Sequence, residues 1–251
     1  MWYGQLRKPL AFAFFALLLA VSFGVKSKGI TLVSAAPERS VEDNIIVSKN
    51  DPVIAMKVDQ SFRYLGEHPI RIRDVAAGER LVFADMEGSK AHRLLIIQFE
   101  GFLPGVDDEY RYNLNSSPIV AGYPFRSNAY AFDFAKSAKE NPGLESAATA
   151  KFLSSQGITA PQQLVMWRSL TVASSDKRKE MIIYYLEDLA AFNMALDDIY
   201  DPITDKDTPA WNAFQTELER RANASFSLTE LDEYKRPKQA SWQHIPLLLT
   251  Q

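Results

Sequence analysis

The sequence contains no cysteine among its 251 residues. This absence excludes disulfide bonds, a thiolate nucleophile, cysteine-ligated zinc and iron–sulfur clusters. It also excludes the acylated cysteine that anchors bacterial lipoproteins. A domain of this composition must therefore derive its stability from an apolar core alone, even if it works outside the cytoplasm.

An excess of positive charge is missing from most of the chain. The sequence has 28 Lys and Arg residues against 31 Asp and Glu residues, and every acidic residue lies at or after Glu38. Residues 1–37 carry only cations, namely Arg7, Lys8, Lys26 and Lys28. The remainder is distinctly acidic, and no run of Lys or Arg alternates with aromatic residues. Because such a surface repels phosphate backbones, we expect no nucleic-acid partner.

Motifs of common enzymes and metal sites are absent as well. The sequence has no G-x-S-x-G, H-E-x-x-H, G-x-G-x-x-G or P-loop pattern. It has only three histidines, and the Asp-rich stretch 197–207 lacks the glycine and the spacing of an EF-hand. We therefore predict no cofactor and no metal site, and the sequence leaves enzymatic activity open.

The amino terminus has the pattern of an export segment. Arg7 and Lys8 precede an apolar run of 16 residues, Leu10–Val25. As a helix this run spans about 24 Å, whereas a bilayer core of about 30 Å needs about 20 residues. We predict that residues 1–25 are a signal peptide or an N-terminal membrane anchor, and that the polar residues 26–50 form a tether. The protein is then exported, periplasmic or extracellular, and touches the membrane only through its N-terminal segment.

Residues 51–251 are predicted to form a single α+β domain. Up to Phe134 the apolar residues alternate with polar ones in short segments, including 92–100 and 110–114, as expected for antiparallel strands. Helical spacing then appears around 141–157, after Asp188 and after Pro209, interrupted by a strand pair over 164–173 and 181–187. We predict a mainly antiparallel curved sheet or partial β-barrel that is covered by C-terminal helices.

Several polar side chains lie among apolar strand neighbours. Arg168 shares a strand face with Met166 and Leu170, and Glu100 follows Ile96 on one face of its strand. A half-buried charge needs a partner, since an unpaired buried charge costs several kcal/mol. Such side chains either form structural ion pairs or line a cavity that binds a ligand. The candidate ligand-binding residues are Arg168, Glu100, Asp133, Tyr130, Tyr185 and Glu187.

Three functions are compatible with these patterns. The first is an exported binding protein for a small apolar or amphipathic ligand. The second is an envelope-associated interaction or scaffold protein. The third is a carboxylate-dependent hydrolase, which requires two carboxyl groups in an open cleft, with Glu100 and Asp133 as the candidates.

Overall fold

The computed structural model describes residues 38–201, 206–236 and 240–246. The predicted signal peptide or anchor, residues 1–25, and the tether residues 26–37 lie outside the described residues. Among the described residues, no helix is long and apolar enough to cross a membrane.

Two antiparallel sheets contain most of the strands. The six-stranded sheet has the order β4-β5-β6-β11-β10-β9, and the four-stranded sheet has the order β1-β2-β3-β14. Two short pairs, β7-β8 and β12-β13, complete the described strands. The strand bounds are β1 Arg39–Glu42, β2 Ile45–Ser48, β3 Ile54–Val58, β4 Arg63–Ile72, β5 Ala76–Glu87, β6 Lys90–Phe102, β7 Ile119–Val120, β8 Tyr123–Pro124, β9 Arg126–Asp133, β10 Gln163–Val172, β11 Lys179–Asp188, β12 Tyr200–Asp201, β13 Lys206–Asp207 and β14 Phe226–Glu230.

Five α-helices and one 3₁₀ helix are described between and after the strands. Helix α4 begins where the sequence predicts it, because the Thr208 side chain accepts a hydrogen bond from the Trp211 amide and Pro209 occupies the first turn. The bounds are α1 Phe134–Glu140, α2 Glu145–Ser155, the 3₁₀ helix Leu189–Phe192, α3 Leu196–Ile199, α4 Pro209–Ala224 and α5 Leu231–Tyr234.

The main apolar core is shared by both sheets. Alternation along β6 and β10 directs side chains such as Leu95, Ile97 and Trp167 to one face of the six-stranded sheet. There they pack with Met56 of the four-stranded sheet and Trp211 of α4. Burying each large apolar side chain contributes about 1.5–3 kcal/mol, so this cluster supplies the stability that no disulfide provides.

The opposite face of the six-stranded sheet has a second, smaller apolar cluster. Leu94 and Ile96 of β6 contact Phe134 of α1 and Leu153 of α2 on this face. The two helices cover only part of the face. Towards the C-terminal end of β6 the same row of side chains becomes polar, and this change positions the candidate site.

The structure agrees with the predicted α+β class and with the antiparallel strands, and it corrects finer points. The described strands form separate sheets and do not close into a barrel, so the expected curved sheet or partial barrel is not supported. Helices pack on both faces of the six-stranded sheet, α1 and α2 on the second apolar cluster and α4 on the main core.

Several local predictions also differ from the structure. The second half of the predicted tether contains β1 and β2, which pair within the four-stranded sheet. Residues 110–114 are not a strand, because their side chains bind a sheet face instead of their backbone joining its edge. The single helix expected after Asp188 is divided into the 3₁₀ helix Leu189–Phe192 and the short helix α3 Leu196–Ile199, because Asn193 adopts the left-handed conformation, with φ 54°.

Candidate functional site

The strand pairing of β6 with β11 brings two glutamates directly opposite each other. Glu100 faces Glu180 across the ladder, and both side chains point to the face that also carries Ile96 and Leu94. Only 8% of Glu100 and 3% of Glu180 is exposed. We call Glu100 and Glu180 the carboxyl pair.

Glu100 is held by two hydrogen bonds. The Tyr110 hydroxyl donates to Glu100 Oε1 over 2.9 Å, and the Gln98 side-chain amide donates to Glu100 Oε2. Glu180 is less well satisfied, since its Oε2 atom has no hydrogen-bond partner among the described residues. An acceptor without a donor in a buried site favours the protonated form of the carboxyl group.

The electrostatics of the carboxyl pair lead to the same conclusion. Burial and the neighbouring Glu100 carboxylate raise the pKa of Glu180 to about 9, although the Tyr112 hydroxyl and the Arg168 guanidinium act in the opposite direction. Two carboxylates so close in a poorly solvated site repel each other, so one of them retains a proton. At neutral pH Glu180 is therefore a neutral carboxylic acid beside Glu100.

Arg168 lies on the same sheet face, on the neighbouring strand β10. Its backbone is paired with Asn128 of β9 and Tyr184 of β11. The groups that act on its guanidinium electrostatically include Tyr184, Tyr112, Glu180 and Tyr130. Arg168 therefore belongs to an enclosed cluster of acidic and phenolic groups.

Arg80 extends this cluster towards helix α2. Its Nε atom donates to Gln98 Oε1 over 2.6 Å, and its Nη1 atom donates to Thr149 Oγ1 over 2.7 Å and to the Glu145 carbonyl over 3.0 Å. The guanidinium also lies over the Tyr184 ring, 5.1 Å from its centroid. A buried cation thus connects the helix to Gln98, and Gln98 connects it to the carboxyl pair. We call Arg80, Gln98, Glu100, Tyr110, Tyr112, Arg168, Glu180 and Tyr184 the polar network.

His68 lies at the edge of the polar network. Its Nε2 atom is 3.4 Å from Thr149 Oγ1, and its ring packs on Phe152 with centroids 5.0 Å apart. Burial lowers the pKa of His68, the Pro69 carbonyl partly opposes this, and the nearby Arg80 charge lowers it further. The imidazole is therefore neutral at pH 7, and it does not add positive charge to the site.

An open cavity of about 660 Å³ lies at the Glu100 end of the six-stranded sheet. Part of its wall is apolar, formed by Phe99, Phe102, Leu103 and Pro104. Gly78 also lines it, and no larger residue fits there, since a Cβ atom at position 78 would lie 1.9 Å from the Phe99 carbonyl oxygen. The acidic residues of the lining are Glu38, Asp51, Glu67, Glu79, Glu100 and Asp176.

The segment 103–118, which contains no helix or strand, borders both the cavity and the polar network. It is fixed at two points, because Arg178 Nη1 donates to the Asp108 carbonyl over 3.0 Å and the Tyr110 amide donates to the Lys177 carbonyl over 2.9 Å. The Tyr110 ring stacks on Phe102 with centroids 4.5 Å apart. The segment therefore places the Tyr110 hydroxyl on Glu100.

The structure divides the six residues predicted from the sequence into three groups. Glu100, Arg168 and Tyr130 lie on the face of the polar network, and of these only Glu100 lines the cavity. Asp133 lies at the end of β9, where its carboxylate accepts a hydrogen bond from the Lys136 amide and caps helix α1. It is not the partner of Glu100 that the hydrolase hypothesis requires.

Tyr185 and Glu187 form the third group and belong to the opposite face of the sheet. The Tyr185 hydroxyl donates to Glu187 Oε2 over 2.5 Å, and Arg221 of α4 donates to Glu187 Oε1 over 2.9 Å. This ion pair joins a buried carboxylate of β11 to a partly exposed guanidinium of α4. Neither residue is part of the cavity.

Sequence reasoning missed Glu180, Tyr110, Tyr112 and Arg80. The signal for Glu180 was available, because extending the predicted strand 181–187 by one residue places it on the sheet with an alternating pattern. The alternation over 110–114 predicts a strand at Tyr110 and Tyr112, and nothing local indicates the segment without helix or strand that they occupy.

The described residues contain no cluster of three or more His, Asp and Glu side chains that could hold a metal ion. The polar network offers hydrogen-bond acceptors and one carboxylic acid, that of Glu180. Compared with protein-family models, with curated proteins and with solved structures, the chain matches none of them.

Proposed function

We propose that this protein binds a small amphipathic ligand in the cavity at the Glu100 end of the six-stranded sheet. The observation that carries the proposal is an open cavity that combines apolar residues with charged side chains fixed in ion pairs, Arg39 with Glu79 and Lys179 with Asp51. Small-molecule sites have this composition, with mostly apolar walls and a few fixed polar groups. A volume of about 660 Å³ lies within the range of such sites.

Filling the cavity tests the proposal. Ala77 lines the cavity, and Ala77→Phe adds an aromatic ring there without changing charge. Native mass spectrometry of the full chain isolated from its source cells is expected to show a bound small molecule, and Ala77→Phe is expected to lack it. Val75→Phe is the control, because Val75 is exposed and does not line the cavity. A wild-type protein free of any bound molecule, which also binds no fluorescent amphiphile, would refute the proposal.

We also propose that binding takes place outside the cytoplasm, on the basis of the export pattern in residues 1–25. Cell fractionation of a C-terminally tagged chain tests this part separately. The tagged chain is expected in the periplasm or medium, or in the membrane fraction if the segment is not cleaved. Recovery in the cytosol would contradict it.

The carboxyl pair favours a second function, that of a carboxylate-dependent hydrolase. Glu180 holds a proton at neutral pH and lies directly opposite Glu100 on the neighbouring strand, so the pair combines an acid with a base. Wild type would then hydrolyse a member of a glycan and ester panel, and Glu180→Gln would abolish this activity. A wild-type protein inactive on the whole panel would remove this second function.

A further inference from the structure

Segment 103–118 places two tyrosines against the carboxyl pair. The Tyr110 hydroxyl donates to Glu100 Oε1 over 2.9 Å, and Tyr112 lies near Glu180, since each of these two groups perturbs the pKa of the other. The two tyrosine rings are nearly parallel, with centroids 6.2 Å apart. Only 8% of Glu100 and 3% of Glu180 is exposed. The two tyrosines therefore shield the carboxyl pair from solvent.

Few contacts hold this part of the segment in place. Among the described residues, one main-chain hydrogen bond connects the stretch 106–117 to another element, from the Tyr110 amide to the Lys177 carbonyl over 2.9 Å. Gly105 lies at the start of this stretch with φ 86°, and a Cβ atom there would have no neighbour within 4 Å. Segments with few main-chain hydrogen bonds to the rest of a protein open at a lower free energy than its core.

The carboxyl pair resists ionisation while the segment is closed. Glu180 Oε2 has no hydrogen-bond partner among the described residues, and Glu100 lies directly opposite on β6. Burial and the neighbouring Glu100 raise the pKa of Glu180 to about 9. If the segment opened, water would reach both carboxyl groups, so Glu180 would ionise more readily in the open form. Because the closed form then binds more protons than the open form, a rise in pH favours opening.

The other titratable or charged groups around Glu180 keep their charge state near neutral pH. They are Glu100 of β6, Tyr110 and Tyr112 of segment 103–118, Arg168 of β10 and Tyr184 of β11, with Arg80 of β5 bonded to Gln98 and Tyr130 of β9 acting on Arg168. Burial raises the pKa of Tyr110, Tyr112 and Tyr184, so these phenols stay neutral. Although burial opposes it, the neighbouring phenols and Glu180 raise the pKa of Arg168, which stays cationic.

We propose that segment 103–118 is a pH-sensitive lid, closed over the carboxyl pair near neutral pH and opening as Glu180 loses its proton. Opening breaks the hydrogen bond from Tyr110 to Glu100 and admits solvent to both carboxyl groups. The carboxylic acid of Glu180 becomes a carboxylate, and the proton passes to the buffer. This conformational change needs no ligand in the cavity, so its test is independent of the proposed function.

Hydrogen exchange of the full chain, measured by mass spectrometry at about pH 7 and about pH 8.5, tests the lid. Protection is expressed relative to the same peptide without structure, which removes the intrinsic pH dependence of exchange. Each pH unit below the pKa of Glu180 in the closed form changes the opening equilibrium by up to about tenfold. We therefore expect the protection of residues 106–117 to fall about tenfold to twentyfold between the two pH values. These residues should also exchange faster than β6 at both pH values, because the lid opens without unfolding of the sheet.

Two variants with the same change in net charge identify the group responsible. Glu180→Gln cannot lose a proton, so the protection of 106–117 is expected to be the same at both pH values. Glu109→Gln is the matched control on the segment itself, where Glu109 pairs with Arg111 and Lys177. This control is expected to keep the tenfold to twentyfold fall in protection seen in the wild type.

Three results would overturn the lid. The first is a wild-type protection of 106–117 that does not change between the two pH values. The second is a folded Glu180→Gln variant with the same pH dependence as the wild type. The third is equal exchange of 106–117 and β6, because the segment would then open only when the whole domain unfolds. If Glu180→Gln does not fold, the first and third measurements decide on the wild type alone.

Discussion

Replacing Glu180 by Gln removes one ionisable group from the carboxyl pair and keeps its size. The folded protein holds the Glu180 proton because burial and Glu100 raise the pKa of Glu180 to about 9, from an ordinary value of 4.5. Between these two pH values the folded chain binds more protons than the unfolded chain. The free energy of unfolding of the wild type therefore falls as the pH rises through this window.

The magnitude follows from this difference in pKa. Each unit of pKa is equivalent to about 1.4 kcal/mol. Titration of Glu180 therefore lowers the free energy of unfolding of the wild type by up to about 4 kcal/mol between about pH 5 and about pH 8. Glutamine does not ionise, so the variant lacks this pH dependence of the free energy of unfolding. We expect the free energy of unfolding of Glu180→Gln minus that of the wild type to increase by about 2–4 kcal/mol from about pH 5 to about pH 8.

Urea unfolding of both proteins at about pH 5 and about pH 8, followed by circular dichroism, measures this difference. Contributions from His68 and other groups cancel in the comparison of variant with wild type. Glu187→Gln is a matched control on the same strand, and it should be destabilised at both pH values because Arg221 loses its buried anionic partner. A difference between Glu180→Gln and wild type that stays constant within about 0.5 kcal/mol would refute the protonated carboxyl pair.

Two further predictions concern residues outside the cavity. Asp133→Ala removes the cap of helix α1 and is expected to cost about 1 kcal/mol in urea unfolding, without changing the binding of a fluorescent amphiphile. A loss of that binding would mean that Asp133 belongs to the site after all. Arg221→Met leaves the buried Glu187 without its cation and is expected to lower the free energy of unfolding by about 1–3 kcal/mol near pH 7. The loss is limited because the Arg221 guanidinium is partly exposed to solvent. An unchanged denaturation midpoint would contradict a structural ion pair.

The strands of the six-stranded sheet are largely predictable because their signal is local. Alternation along 92–100 and 164–173 identifies β6 and β10 and assigns each side chain to a face. The same alternation correctly places Glu100 and Arg168 on inward-facing rows that also carry apolar residues. Thr208 and Pro209 are equally local signals, and they predict the start of α4 correctly.

The grouping of polar residues could not be predicted in this way. Tyr185 and Glu187 have the same local pattern as Glu100, yet they point to the other face of the sheet and bind α4. Which face a row occupies relative to another strand depends on register, and a shift by one residue exchanges the two faces. Periodicity within one strand contains no information about that register.

The sequence by itself determined the class of protein: a cysteine-free, acidic α+β domain with antiparallel strands, preceded by an export pattern, in which Glu100 and Arg168 are embedded among apolar residues. Only the tertiary structure decided what these residues do. Pairing of β6 with β11, separated by some 80 positions along the chain, sets Glu180 against Glu100, and segment 103–118 adds Tyr110. Contacts of such long range are selected by the burial of all strands together, which no local pattern records.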